Sequence, residues 1–205
     1  MLNYLCNVSD VLRSIPQHQI DDFADSFSKT QYTSKKWLVE TLASYKLPDS
    51  PSILILGGWY GSFLIPMLQQ QYPDCSILLT DKESEPLSVA EYLHQARYQG
   101  VTKIRMGVVD VETNIERIHD QRFDVVINTS CEHMTNLRNI CVANPEALYV
   151  FQACDEKNDP GHVNIVETTD QLIEQCEFDQ VVFKGRMDLG HKNRFMVIGK
   201  KHQIP

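Results

Sequence analysis

Residues 52–63 read SILILGGWYGSF. Four apolar residues, Ile53, Leu54, Ile55 and Leu56, run straight into Gly57-Gly58-Trp59-Tyr60-Gly61, and Ser62, Phe63, Leu64, Ile65 and Met67 follow at helical spacing. A short apolar run bounded by glycines predicts a buried strand, the glycines a tight turn, and the periodic stretch a helix. Such a turn leaves bare backbone open to a ligand and aims the first helical N–H groups at its anionic part.

Outward from this stretch, composition bounds the rest. With 205 residues, 42% hydrophobic and 22% charged, the chain suits one soluble domain with a substantial core. No apolar run approaches the roughly 18 residues of a membrane helix. The opening MLNYLCNVSDVLRS lacks the basic segment, apolar stretch and cleavage site of a secretion signal, so the expectation is a cytoplasmic chain without a membrane partner. Six cysteines, at 6, 75, 131, 141, 154 and 176, form no CxxC pair and read as reduced thiols, several of them buried. A net charge of −8 disfavours a nucleic-acid partner without excluding a local basic patch.

The chain is expected to begin with a helical preface over 1–33, including a short amphipathic helix around Asp21, Asp22 and Asp25. A domain follows over 34–205. Ser34 is expected to cap a helix over 35–45, ended by Leu47-Pro48-Asp49-Ser50-Pro51. Strands are predicted at 53–56, 76–80, 102–109, 123–128, 147–153, 180–184 and 194–199. Helices are predicted at 63–71, 86–99, 114–119 (a single turn), 136–143 and 166–175. Alternating strands and helices imply right-handed crossovers and a parallel sheet, and the last two strands an antiparallel pair. The expected fold is therefore α/β: a doubly wound, Rossmann-like sheet of seven strands with helices on both faces.

In an open α/β sheet, ligands bind at the carboxyl ends of the strands. The first end carries Gly57–Gly61. The second carries Asp81, twenty residues after Gly61, where a carboxylate can accept hydrogen bonds from ribose hydroxyls. The third carries Asp110, within reach of an adenine amino group, and the fourth Asn128-Thr129-Ser130. A nucleoside-containing cofactor fits this set. The dinucleotide pattern G-x-G-x-x-G fails in both registers, on Trp59 or on Tyr60, and no G-K-[ST] follows the glycines. Each feature also has a plain structural reading: a ligand-free turn for the glycines, helix caps for the aspartates, packing for Trp59 and Tyr60.

The pieces ILILGGWYG, LLTD ending at Asp81, GVVDV around Asp110 and FDVVINTS through Asn128, in that order, resemble the class I S-adenosylmethionine-dependent methyltransferase family. The terminal strand pair resembles that family's final hairpin. The resemblance covers roughly residues 34–200. It implies S-adenosylmethionine as cofactor, with the methionine end at Gly57, Gly58, Trp59, Tyr60 and Gly61, the ribose at Asp81 with Lys82, the adenine at Asp110 with Val111, and Asn128 and Ser130 nearby. Ile55 stands where the family often has an acidic residue, and Trp59 where it has a glycine, so Lys35 is the candidate for the cofactor carboxylate. NTSC replaces the [DN]PP[YF] of base-amino methylation and shares only the Asn.

Methyl transfer to an unidentified small-molecule or protein acceptor is the implied reaction. It asks the protein to align a nucleophile and take up a proton. Asn128, Glu132, His133 and His162 are the catalytic candidates, with Gln152 and Asn164 beside them and a histidine as general base. Glu132, His133, Cys131 and His162 lack tight ligand spacing and come from separate loops, so no metal is expected. The LGGWYG turn also resembles that of spermidine synthases, leaving aminopropyl transfer open, and a catalytically inactive nucleoside-binding or scaffolding domain is the alternative outside enzymology.

Overall fold

The computed structural model describes residues 2–95 and 103–201. The predicted stop at Gly100 and the end of its helix lie outside these. Seven strands are hydrogen-bonded in the order β3-β2-β1-β4-β5-β7-β6, with β1 at Ser52–Leu56, β2 at Ser76–Asp81, β3 at Lys103–Val108, β4 at Val125–Asn128, β5 at Leu148–Cys154, β6 at Gln180–Asp188 and β7 at Asn193–Lys200. Helices lie on both sides of the sheet. The pairs β1–β4, β2–β3 and β4–β5 are parallel, while β7 runs antiparallel to both β5 and β6. All seven predicted strands form.

By compactness the chain divides into two units. The first comprises 1–51 with 58–108, and the second 52–57 with 109–205. The first unit opens with α1 (Leu2–Ser14), α2 (Ile20–Asp25) and α3 (Lys29–Leu42), and continues with α4 (Leu64–Gln71) and α5 (Ser84–Gln95) around β2 and β3. α1 opens the expected helical preface: Tyr4, Val8, Val11 and Ile15 recur at helical spacing and join a cluster with Phe23, Tyr60 and Leu93. α3 begins at Lys29, capped by Ser28, whose hydroxyl accepts the Gln31 N–H. Ser34 is buried within that helix and donates back to the Gln31 carbonyl, so it caps nothing.

The second unit builds on β1, β4 and β5, whose buried Val, Ile, Leu and Phe residues read as core strands. Its helices are α6 (Glu116–His119) and α7 (Thr169–Cys176). The helix expected over 136–143 is only a 3-10 turn at Leu137–Asn139, because Asn136 and Ile140 take extended or irregular backbone on either side. α7 starts three residues later than expected, behind a Thr168–Gln171 capping box. β6 is one of the sheet's two edges, exposed and defended by charge: Lys184 pairs with Asp170 at 2.8 Å, and Arg186 donates to Asn193. β7 is buried from Arg194 to Gly199.

Gly199 tests this packing. A Cβ there would stand 2.6 Å from the Gln180 carbonyl and 2.7 Å from the Phe178 ring. Gly199→Ala is therefore expected to lower stability by about 1–3 kcal/mol in urea denaturation.

The start of β7 is held by Asp155, which accepts the Asn193 backbone N–H at 2.7 Å and its side-chain amide at 2.6 Å. Burial works against the Asp155 charge, but these bonds outweigh it and hold the carboxyl below its ordinary value. A depressed folded value means stabilisation that is present above the ordinary aspartate value of about 3.9 and lost as pH falls through the folded one. Denaturation midpoints from neutral to acid pH should therefore fall less steeply for Asp155→Asn than for the native chain, from a lower starting point at neutral pH.

Candidate functional site

In the first unit the turn after β1 closes through a Gly61 N–H to Gly58 carbonyl bond of 2.9 Å, and the Gly58 N–H donates to the Thr80 carbonyl on β2. Trp59 has φ +52°, a left-handed conformation rare outside glycine. Its N–H donates to Asp81 Oδ2 at 2.9 Å, while Asp81 Oδ1 accepts from Glu83 N–H. Asp81 is half-buried with its carboxylate fixed by two backbone donors, and lone pairs remain on both oxygens. Lys82 beside it is exposed.

Tyr60 is buried, with its ring edge-on to Phe23 at 5.2 Å and its carbonyl against His94 Nε2 at 3.0 Å. Burial, with Asp22 and Glu85 nearby, pushes its phenol up to about 12. Trp59 is partly buried and tilts against Tyr60 at 4.9 Å. Gly61 has φ +62°, and the space of its missing Cβ is taken by the Ile65 side chain. Lys35 stands in the second turn of α3, partly buried.

The second unit holds the other candidates. Gly57 has φ +55°, and a Cβ there would lie 2.7 Å from the Met134 methyl. The Ser130 hydroxyl donates to the Gly57 carbonyl at 2.9 Å. Asn128 is fully buried: its Oδ1 accepts the Ser130 N–H, and its Nδ2 faces the Met134 sulfur at 3.1 Å. Asp110, half-buried beside the buried Val111, accepts from Glu112 N–H at 2.9 Å and from the Thr113 hydroxyl at 3.0 Å. Gln152 is buried with its amide toward the Met196 sulfur, and Asn164 donates to the Met134 carbonyl.

His133 and His162, from separate loops, meet edge-to-face at 4.7 Å. His133 is exposed, with Nδ1 on the Gly161 carbonyl at 2.9 Å. The His162 side chain is 4% exposed, with Nδ1 2.7 Å from the Glu156 carbonyl. Beneath them Glu132 forms a buried ion pair with Arg194, Oε1 to Nη1 at 2.7 Å. Burial works against both charges. The Arg194 guanidinium and further hydrogen bonds nevertheless hold the Glu132 carboxyl below its ordinary value, and Glu132 in turn raises Arg194. Cys154, at the end of β5, lies 3.4 Å from Glu132 Oε1, and burial pushes its thiol up to about 11.

Cys154 carries no mark in the sequence beyond its thiol, and Arg194, read with Arg186 and Lys192 beside the polar turn DLGHKNR, is expected to be solvated; it is instead buried. Arg194 meets Glu132 across 62 positions, a separation that no local pattern signals. Its one trace is a charge opening the apolar run RFMVIG.

No protein-family model and no curated protein sequence matches the chain. Solved structures do. The mitomycin 7-O-methyltransferase aligns with a TM-score of 0.60 at 17% identity, over 95% of this chain and 60% of its own. The bifunctional kinase-methyltransferase WbdD aligns at 0.58 and 18%, over 97% and 47%. Coclaurine N-methyltransferase bound to N-methylheliamine and SAH aligns at 0.59 and 12%, over 82% and 73%. The chain thus spans well under two thirds of the first two proteins. At these identities the likeness shows the fold, which is the Rossmann-like fold of class I S-adenosylmethionine-dependent methyltransferases. Among the described residues, no helix is long and apolar enough to cross a membrane.

Breaking a buried ion pair from one side leaves an uncompensated charge. Arg194→Met is accordingly expected to cost about 3–5 kcal/mol in urea denaturation, and adding Glu132→Leu should restore most of it.

Proposed function

We propose that this chain is an S-adenosylmethionine-dependent methyltransferase acting on a small-molecule or protein acceptor. The observation that carries the reading is Asp81: a half-buried carboxylate at a strand's carboxyl end, immobilised by the glycine turn and still able to accept. The donor chemistry fits the cofactor. Asp81 would hold the ribose hydroxyls and Asp110 the adenine amino group. The backbone of the glycine turn and Lys35 would serve the methionine end, with Lys82, Val111, Asn128 and Ser130 as neighbours of these contacts.

When bound, the cofactor supplies a methyl group already activated on a sulfonium. The chain's own work is then to align the acceptor and accept its proton. His133 is suited to this. With Nδ1–H donating to the Gly161 carbonyl, its Nε2 lone pair is the free base on an exposed ring. His162 backs that ring from a buried position. Asn128 acts by holding the loop that carries Glu132 and His133. Aminopropyl transfer would ask for an acidic residue near an amine, and Glu132 is already paired with Arg194. The same reading assigns 34–205 to the cofactor-binding domain, 1–33 to a helical preface, and the protein to the cytoplasm.

Calorimetric titration tests this. The full chain should bind S-adenosylmethionine and S-adenosylhomocysteine at one site, and Asp81→Ala should weaken both by about 1–3 kcal/mol. Preference for decarboxylated S-adenosylmethionine would favour aminopropyl transfer. A folded chain that binds none of the three would overturn the enzyme reading.

A further inference from the structure

We propose that Glu132, Cys154 and His162 form a site for a divalent cation of the zinc class. The proposal stands apart from the cofactor reading. One ligand atom from each of the three residues lies within 4.8 Å of the others. Cys154 Sγ is 3.4 Å from Glu132 Oε1 and 3.9 Å from His162 Nδ1. Around tetrahedral zinc, with bonds of about 2.0–2.3 Å, neighbouring donors stand about 3.3–3.7 Å apart. Cys154 thus already stands near ligand distance from both partners, while Glu132 and His162, within 4.8 Å of each other, close by up to about 1 Å on a bound cation. A thiol, an imidazole and a carboxylate together select zinc over magnesium or calcium, which prefer oxygen alone.

A second observation points the same way. Glu132 is 3% exposed, and its Oε2 is buried without a hydrogen-bond partner. A buried, orphaned oxygen on the carboxylate whose Oε1 touches the Cys154 thiol is one that a cation would satisfy. Arg194 opposes one, since its guanidinium already holds Oε1. The local charges still balance. Arg194 and a dication bring three positive charges, against one negative charge each from Glu132, the Cys154 thiolate and Asp159, whose Oδ2 lies 3.6 Å from His162 Nε2.

Binding moves two protons. The Cys154 S–H breaks and its proton leaves to solvent as the sulfur–metal bond forms. The His162 proton passes from Nδ1, where it faces the Glu156 carbonyl, to Nε2, where it faces Asp159. The Nδ1–H bond to the Glu156 carbonyl is given up and the ring turns off that oxygen as Nδ1 offers its lone pair to the metal, with a carboxylate orienting the ring from behind. Three protein donors leave the fourth tetrahedral position for water or another ligand.

Cobalt(II), added to the full chain after chelator treatment, is the probe. A near-ultraviolet thiolate-to-cobalt band should saturate at one equivalent, with about one proton released per cation, and zinc should abolish it. Cys154→Ser should lose the band, and Cys6→Ser, which removes an exposed thiol elsewhere, should keep it. Asp159→Asn keeps an oxygen to accept the Gly161 N–H, removes the charge facing His162, and should weaken cobalt binding about 10–100-fold. The proposal fails if folded native chain shows no saturable band, if Cys154→Ser retains it, or if Asp159→Asn binds cobalt with unchanged affinity. Titration of the native chain with S-adenosylmethionine is read separately, so either claim can fail alone.

Discussion

The turn after β1 closes through backbone bonds, but its left-handed residue is held by one charged acceptor: the Trp59 N–H donates to the Asp81 carboxylate. Left-handed backbone at a residue with a Cβ costs about 1–2 kcal/mol, and Trp59 has no glycine's freedom to avoid it. A bond to a charged acceptor contributes about 1.5–3 kcal/mol, enough to offset that strain. The aromatic cluster of Tyr60, Phe23 and the first helix adds burial on the same segment. A turn that would ordinarily use glycine is thus built around a tryptophan, with an aspartate committed to holding it.

The commitment is compatible with the ligand role proposed for Asp81. Its backbone donors fix the carboxylate without exhausting it, and a fixed acceptor loses little freedom when a ligand's hydroxyls arrive. Asp110 follows the same logic in the second unit, anchored by Glu112 and Thr113. The plain reading of both residues as local caps and the ligand reading are therefore compatible, because a cap with spare lone pairs is a pre-oriented acceptor.

The core strands could be read from the sequence because each is a short apolar run bounded by glycine, proline or a polar cluster, whereas the half-polar, exposed β6 runs on to Asp188, past the 180–184 expected. Within the expected helical preface the bounds of the first helix were not placed, although its apolar spacing is present, because the polar residues around Tyr4, Val8 and Val11 dilute it. The 136–143 stretch looked helical by composition and is mostly irregular. Among candidate site residues, Asp81 stood out by its distance from the glycines and Asp110 by its place at the end of the third strand. The meeting of His133 with His162, and of Glu132 with Arg194 and Cys154, could not be seen, because these residues come together only when β4, β5 and β7 pair.

The central claim is that the Asp81 carboxylate is a ribose acceptor held ready by the glycine turn. A crystal structure of the chain grown with S-adenosylhomocysteine tests it most directly. The account predicts both ribose hydroxyls within hydrogen-bond distance of Asp81, with the Trp59 N–H still bonded to the same carboxylate. A ligand seated away from Asp81, or a turn that must release Trp59 to admit it, would contradict the account.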